Sequence, residues 1–359
     1  MTGPNISPSR SRRRETRRVP VGRIFIGGGA PISVQTMWKR PLKRDTIRQT
    51  LEEIQALEKL GCELLRFSVP DMEAAELLGR IASRIELPLV ADIHFDHRLA
   101  LRCLDFPVAK IRINPGTIGG SRKVQELVRK ASDRAAAIRI GVNAGSLPPA
   151  LRNEKDLAQA LMKAAEEELS LLEKLGFGRV VVSLKAADVD STVRANLLFS
   201  EKFDYPLHVG LTEAGPLVQG TVRNAVALSR LLASGVGDTI RVSLSDSPQN
   251  ELLAGRAILQ STGVRNIGIE LISCPTCGRT AFDVTGFLLQ VQEYLQGVSK
   301  QATIAIMGCP VNGPGEARRA DLGITGTGRR VLFFKKGRII RRENADDAIE
   351  AFKEELDKL

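Results

Sequence analysis

Three cysteines in the last quarter of the chain have the types and spacing of metal ligands or redox partners. Cys274 and Cys277 form a C-x-x-C pair in "NIGIELISCPTCGRT", and Cys309 lies in "MGCPVNGPGEARRADLGITG". Proline and glycine mark both stretches as turns next to strands, so the thiols are free to converge. Three chemistries compete. A zinc site wants four Cys or His ligands in a tetrahedron, but His94, His97 and His208 all lie far upstream. A redox disulfide between Cys274 and Cys277 leaves Cys309 unexplained and lacks a thioredoxin-like βαβ context. An iron–sulfur cluster takes thiolates and tolerates one other ligand, above all at a corner that does chemistry. Glu316, in the same Gly-Pro loop, is close enough in sequence to curl back as that ligand; the alternative is a surface glutamate. Cys62 and Cys103 sit in apolar segments and read as packing residues.

A second set of reactive types lies upstream, at alternate positions of short apolar runs. Arg66 and Ser68, Asp92 and His94, and Lys110, Arg112 and Asn114 each share one strand face. So do Arg139, Gly141 and Asn143, then Ser183 and Lys185, His208 and Thr212, and finally Arg241, Ser243 and Ser245. Successive strand side chains point to opposite faces. The same face is therefore polar in seven consecutive strands, toward their C-terminal ends. Arg66, Lys110, Arg112, Arg139, Lys185 and Arg241 supply the positive charge; Asp92 and, just past its strand, Glu213 supply the negative. Such an excess of buried cations needs an anion. Guanidinium forks suit phosphate oxygens, about two or three groups to each phosphate, so the pattern suggests two phosphates or a diphosphate. No Walker-type glycine loop is present, which favours a small phosphorylated metabolite over a nucleotide.

The elements that must position these residues run from 32 to 262. Strand candidates are 32–37, 63–69, 88–94, 109–114, 137–143, 179–185, 206–212 and 239–245, separated by helices such as 45–60 and 154–175. Eight strand–helix units predict a (β/α)8 barrel, an α/β fold, with a doubly wound sheet as the alternative. The preceding "VPVGRIFIGG" predicts a hairpin closing the barrel's bottom. After residue 264 the pattern changes to a small α/β domain. The expected division is a basic, disordered tail over 1–19, the barrel over 20–264 and the cysteine-bearing domain over 265–359.

The chain has 359 residues, a formal net charge of +11 and 43% hydrophobic residues, enough for one large and one small domain. No run approaches the length of a membrane helix, and no apolar stretch follows the start as in a secretory signal. Five cysteines, an odd count without such a signal, predict reduced thiols and the cytoplasm. The arginine-rich tail, "SPSRSRRRETRR", reads as a solvated N-terminus, with a nucleic-acid arm or the stub of a transit peptide as the alternatives.

"SCPTCGRT" and "MGCPVNGPGEARRADLGITG" resemble the two cluster motifs of the 4-hydroxy-3-methylbut-2-en-1-yl diphosphate synthase family, which belongs to the methylerythritol phosphate route to isoprenoids. The resemblance continues through "RIGVNAGSL", "SLKAADV" and "HVGLTEAG" and covers the chain from about Val19. It implies a barrel joined to a domain holding a [4Fe-4S] cluster by Cys274, Cys277, Cys309 and Glu316. The implied substrate is 2-C-methyl-D-erythritol 2,4-cyclodiphosphate, opened by two-electron reduction with loss of water. The family's substrate positions correspond to Arg66, Asp92, Arg112, Asn114, Arg139, Asn143, Lys185 and Ser243, and more loosely to His208 and Glu213, the latter a proton donor. Flavodoxin or ferredoxin is the implied electron source. A homodimer is also implied, each cluster domain capping the partner's barrel. Two other classes remain: a non-catalytic iron–sulfur redox sensor with an RNA-binding arm, and a zinc-dependent barrel hydrolase.

Overall fold

The computed structural model describes residues 13–94, 96–114, 118, 120–298, 300–309 and 317–359. The chain forms two compact units that meet in sequence at Arg265 and Asn266.

The first unit opens with an antiparallel hairpin, β1 (Val19–Val21) and β2 (Ile24–Ile26). Eight parallel strands follow: β3 (Ser33–Met37), β4 (Leu64–Ser68), β5 (Leu89–Asp92), β6 (Lys110–Ile113), β7 (Ala137–Asn143), β8 (Val180–Lys185), β9 (His208–Val209) and β10 (Thr239–Ile240). Their order is β8-β7-β6-β5-β4-β3-β10-β9, and a parallel bridge from Val182 to Leu207 brings the last edge back to the first. That closure makes a barrel and removes the doubly wound alternative.

Eight helices alternate with these strands: α1 (Ile47–Lys59), α2 (Met72–Ala82), α3 (His97–Cys103), α4 (Ser121–Asp133), α5 (Leu157–Lys174), α6 (Val189–Lys202), α7 (Leu217–Ala233) and α8 (Pro248–Ser261). Several begin at a side chain that accepts from free backbone N–H groups of the first turn, as Asp71, Asp156, Asp188 and Ser247 do.

Alternation along the strands sets the layers of the barrel interior. The lowest lumen residues, Leu64, Val90, Ala137 and Val181, are apolar and pack with Val19, Val21 and Ile26 of the hairpin, which therefore plugs the bottom. Polar residues begin directly above. The ladders of β9 and β10 are shorter than the sequence suggested. Beyond them Gly210, at φ +146°, lies so close to the Arg241 carbonyl that a Cβ there would stand 2.1 Å from its oxygen.

The arginine arm departs from expectation. Residues 13–18 are bound to the barrel rather than solvated. Arg13 pairs with Asp238 at 3.0 Å, Arg14 donates to the carbonyls of Phe203 and Tyr205, and Arg17 pairs with Asp204 and lies over the Tyr205 ring. Asp204 and Asp238 sit in the short connections that enter β9 and β10, so the arm covers the same end as the hairpin. The tail's first twelve residues lie outside the described residues.

The second unit is one five-stranded sheet in the order β11 (Ile269–Ser273), β12 (Ala302–Met307), β13 (Leu322–Gly326), β14 (Arg330–Lys335), β15 (Arg338–Asn344). The first three strands are parallel and the last two antiparallel. Helices α9 (Val284–Gly297) and α10 (Ala348–Asp357) cover one face through Phe287, Val291, Phe352, Ile304, Ile324 and Phe333. The opposite face carries Ala305, Met307 and Phe334 against Ala317 and Ala320.

β13 lies within the glycine-marked stretch that follows Cys309, and its "DLGITG" carries two glycines in five strand positions. Both have a packing reason. A Cβ at Gly323 would lie 2.0 Å from the Phe334 ring, and one at Gly326 would lie 2.4 Å from Phe282. The central strand is thin so that rings can lie on it. Gly323→Val should therefore lower stability by about 1–3 kcal/mol through overpacking. Urea unfolding of the full chain measures this, and an unchanged midpoint would show that Phe334 can move aside.

Candidate active site

Arg66, Asp92, Lys110, Arg112, Arg139, Ser183, Lys185 and His208 line the barrel interior above the plugged layer; all but Arg66, which is half-buried, are buried. Asp92 is the organising acid. It accepts from Arg66 Nη2 at 2.6 Å and Arg112 Nη1 at 3.3 Å, and Arg112 Nη1 also contacts His94 Nε2 at 2.8 Å. Burial alone would raise the Asp92 pKa. Arg66, the His94 hydrogen bond, Arg112 and Arg139 together hold it well below the usual carboxylate range instead.

Arg112 reaches across to β7 and donates to the Gly141 carbonyl at 2.7 Å. Any Cβ at Gly141 would lie 2.2 Å from Arg112 Nε, so this lumen position admits only glycine with the guanidinium in place.

Other cations lack such support. Lys110 Nζ and Arg139 Nε and Nη1 are buried with no hydrogen-bond partner among the described residues. Burial and then mutual repulsion push Lys110, Arg139 and Lys185 well below their ordinary pKa values. His208 is fully buried among the same cations and is held neutral by burial first and their repulsion second. A cluster in this state favours an anion strongly, since each added negative charge relieves several repulsions in a medium of low dielectric constant.

Arg241 differs from the sequence expectation, in which it belonged to the anion-seeking set. Its guanidinium forms a two-pronged pair with Glu251 of α8 at 3.1 and 3.0 Å. Glu251 also accepts from Thr36 Oγ1, Lys39 Nζ and the Leu244 backbone N–H at 2.8, 2.6 and 3.1 Å. This buried carboxylate escaped the sequence reading because it sits on a helix, where strand alternation says nothing. Gln35 was missed as well. It is fully buried on the lumen side of β3, with both amide atoms unpartnered, and the Ser33–Gln35 alternation could have signalled it.

Asn114 and Asn143 stand half-buried at the C-terminal ends of β6 and β7, and Ser243 lies half-buried beyond β10. Glu213 is exposed in the loop after β9 with φ +50°. These four border the mouth; they are not part of the buried cluster.

In the second unit, parallel pairing brings two cysteines to one end of the sheet. Ser273 is opposite Ile306, the Cys274 N–H donates to the Ile306 carbonyl at 3.0 Å, and Cys309 follows β12 by two residues. The Cys277 turn is drawn to the same end, because Thr280 bonds back to Cys277 and the Ala281 N–H donates to the Gly308 carbonyl at 2.8 Å. All three thiols are free. Arg279 serves them jointly. Its guanidinium is raised above its ordinary pKa first by the hydrogen bond it donates to Cys277, then by the attraction of Cys277, Cys309 and Cys274. Hydrogen bonds from Arg279 lower the Cys277 pKa in turn.

Among the described residues no three His, Cys, Asp or Glu side chains form a ready metal cage, and Glu316 lies outside the described residues. Three soft thiols on adjoining turns beside a guanidinium are nonetheless a donor set that suits an iron–sulfur cluster. Cys62 and Cys103, by contrast, are buried in the barrel, where burial pushes each thiol up to about 12.

The class thus defined is a two-unit barrel enzyme with a cationic mouth and a separate trio of thiols. Comparison with known families makes it particular. The GcpE TIM-barrel domain matches residues 16–256, and the GcpE protein C-terminal domain matches residues 270–358. A 4-hydroxy-3-methylbut-2-en-1-yl diphosphate synthase (flavodoxin) of Treponema pallidum is 49% identical over 93% of this chain and 88% of its own. One of Thermodesulfovibrio yellowstonii is 46% identical over 97% of this chain and 99% of its own. The chain belongs to the GcpE family of 4-hydroxy-3-methylbut-2-en-1-yl diphosphate synthases and is an oxidoreductase of isoprenoid precursor synthesis. That membership sets aside the redox-sensor and zinc-hydrolase alternatives. Among solved structures, the Xanthomonas albilineans dihydropteroate synthase superposes with a TM-score of 0.50 at 12% identity, covering 70% of this chain and 99% of its own. This likeness concerns the fold alone.

Removing Glu251 would leave Arg241 and Lys39 without their shared counter-charge. Glu251→Ala should destabilise the barrel by about 3–5 kcal/mol in urea unfolding, the range for a broken buried ion pair. A loss below about 1 kcal/mol would mean that Arg241 finds another partner or water.

Proposed function

We propose that the barrel mouth binds 2-C-methyl-D-erythritol 2,4-cyclodiphosphate and that the enzyme opens it reductively to 4-hydroxy-3-methylbut-2-enyl diphosphate. The reaction takes up two electrons and two protons, breaks the ring carbon–oxygen bond to phosphate and releases water. The observation that carries this reading is the cationic cluster, in which Lys110 and Arg139 keep donors with no partner among the described residues although Asp92 and Glu251 pair with Arg66, Arg112 and Arg241.

Arg66, Arg112, Arg139 and Lys185 would hold the phosphate oxygens, and Asp92 keeps Arg66 and Arg112 aimed inward. The same cations stabilise the charge that develops on the departing phosphate oxygen, where preorganised donors count most. Asn114, Asn143, Ser243 and His208 offer neutral polar contacts to the sugar-derived carbons' hydroxyl groups. Glu213, exposed at the rim, is the proposed proton donor.

In this reading Cys274, Cys277, Cys309 and Glu316 hold a [4Fe-4S] cluster, which supplies electrons one at a time when bound. The electron source is a flavodoxin, in keeping with the names of the relatives, with ferredoxin as the other candidate. The reading has the protein in the reducing cytoplasm, in keeping with five free thiols. No helix among the described residues is long and apolar enough to cross a membrane.

Two variants separate the roles. Anaerobically purified Arg112→Ala should keep its iron, sulfide and visible spectrum but bind the cyclic diphosphate about 1.5–3 kcal/mol more weakly, the worth of a charged hydrogen bond. Cys309→Ala should lose the chromophore. Full iron content in Cys309→Ala would overturn the ligand assignment, and normal substrate affinity in Arg112→Ala would overturn the phosphate assignment.

The reading also includes a homodimer in which the cluster unit of one chain completes the barrel of its partner. Mixed Arg139→Ala and Cys309→Ala chains should then regain part of the activity that each lacks alone. No recovery after proven subunit exchange would exclude this arrangement.

A further inference from the structure

The second unit distributes its charge unevenly. From 317 to 342 it carries nine Lys and Arg residues (318, 319, 329, 330, 335, 336, 338, 341 and 342) against Asp321 alone. The acids lie instead on α10 and its approach, from Asp346 to Asp357. Cross-strand register sorts the basic residues by face. Val331 and Phe333 point into the helix-covered core, opposite Glu343 and Arg341, and Arg341 is spent on Glu343 and Glu354. Leu332 is opposite Arg342, and Arg330 is opposite Asn344, so these four share the helix-free face. Arg330 and Arg342 are exposed and have no ion pair among the described residues. Half-buried Leu332 lies beside them, and Ile339, 46% exposed and opposite Phe334, extends the apolar strip along the same edge strand.

This strip begins at the end of the sheet that carries the thiols. The turn before β14 is tied to the cysteine end, since the Gly328 N–H donates to the Ala281 carbonyl at 3.2 Å while the Ala281 N–H donates to Gly308, next to Cys309. Arg329 sits exposed in that turn, and Arg279 continues the positive rim beside Cys277. Glu343, next to Arg342, points to the covered face and pairs with Arg341, and Asp346 and Asp347 form no ion pair with Arg330 or Arg342 among the described residues. A basic edge strand also discourages edge-to-edge pairing, but that role does not call for an apolar centre or for a place beside the thiols.

We propose that the helix-free face of the β14–β15 hairpin, built from Arg330, Leu332, Ile339 and Arg342, docks an acidic one-electron carrier protein. This rests on the reading of Cys274, Cys277 and Cys309 as the site that receives electrons. The partner that fits has carboxylates around an exposed apolar cofactor edge, as flavodoxin-type carriers do. Long-range attraction would steer it, and the apolar strip would set its final position. The reduced carrier gives up one electron per encounter and leaves oxidised by one equivalent; two encounters supply one turnover.

The test uses the full-length, cluster-loaded enzyme and purified flavodoxin in titration calorimetry at low and moderate salt. Wild-type affinity should fall at least tenfold as salt rises through the range where the Debye length contracts to about 8 Å. Arg330→Glu with Arg342→Glu should weaken binding at low salt at least tenfold, whereas Arg330→Lys with Arg342→Lys should stay within about threefold of wild type. Turnover driven by reduced methyl viologen should be the same in all three proteins, which checks fold and cluster together. Unaltered flavodoxin binding by the Glu variant overturns the proposal, and so does an equal loss of viologen-driven turnover. Failure of the wild type to turn over with viologen would count against the catalytic reading instead, because flavodoxin binding is measured without turnover.

Discussion

Four buried cations, Lys110, Arg112, Arg139 and Lys185, share this barrel with half-buried Arg66 and Arg241, and the need to keep that charge in a folded protein governs what surrounds it. Asp92 and Glu251 are placed where each neutralises two basic groups, so the repulsion falls mainly on Lys110, Arg139 and Lys185. A like-charged cluster of this kind costs stability in the free protein, and the surrounding barrel must supply the difference. The same strain gives an anion a large advantage on entering.

The barrel supplies it through layering. Period-two alternation puts apolar residues against the helices all round the sheet. In the lumen it places Leu64, Val90, Ala137 and Val181 below the charges, where the hairpin excludes water from underneath. The arm from Arg13 to Arg18 then fastens the connections entering β9 and β10. Gly141 leaves space for Arg112 to lean over the neighbouring strand β7, and Gly210 lets two backbones approach near the mouth. Charge at the C-terminal end therefore relies on close packing at the N-terminal end.

The second unit solves a different problem with the same sheet geometry. Parallel pairing of β11, β12 and β13 makes the chain leave both cysteine-bearing strands at one end, and two backbone hydrogen bonds draw the Cys277 turn to that end as well. Helices cover one face of the sheet, where Arg341 and Lys335 meet the acids of α10, while Arg330 and Arg342 lie on the other face.

Much of this was legible in one dimension. Eight apolar runs spaced by amphipathic helices point to parallel strand–helix units, and closure through the Val182–Leu207 bridge decides for the barrel over the doubly wound sheet. Alternation in "AKIRIN" and "AIRIGVN" is enough to put Arg112 and Arg139 on the inner face, because side-chain direction in a strand is local. The C-x-x-C pair and the lone Cys309 were likewise readable from residue type. Contacts between distant segments were not. Glu251 meets Arg241 only because α8 folds back over the strand ends, and Arg13 meets Asp238 across 225 residues. β13 was hidden because its glycines are explained by Phe334 on the neighbouring strand and by Phe282, both outside the segment itself. Sequence by itself determined which side chains face inward, since that follows from backbone periodicity. Tertiary structure decided which charges are compensated and which are left for an anion, since that depends on distances between elements the chain order does not relate.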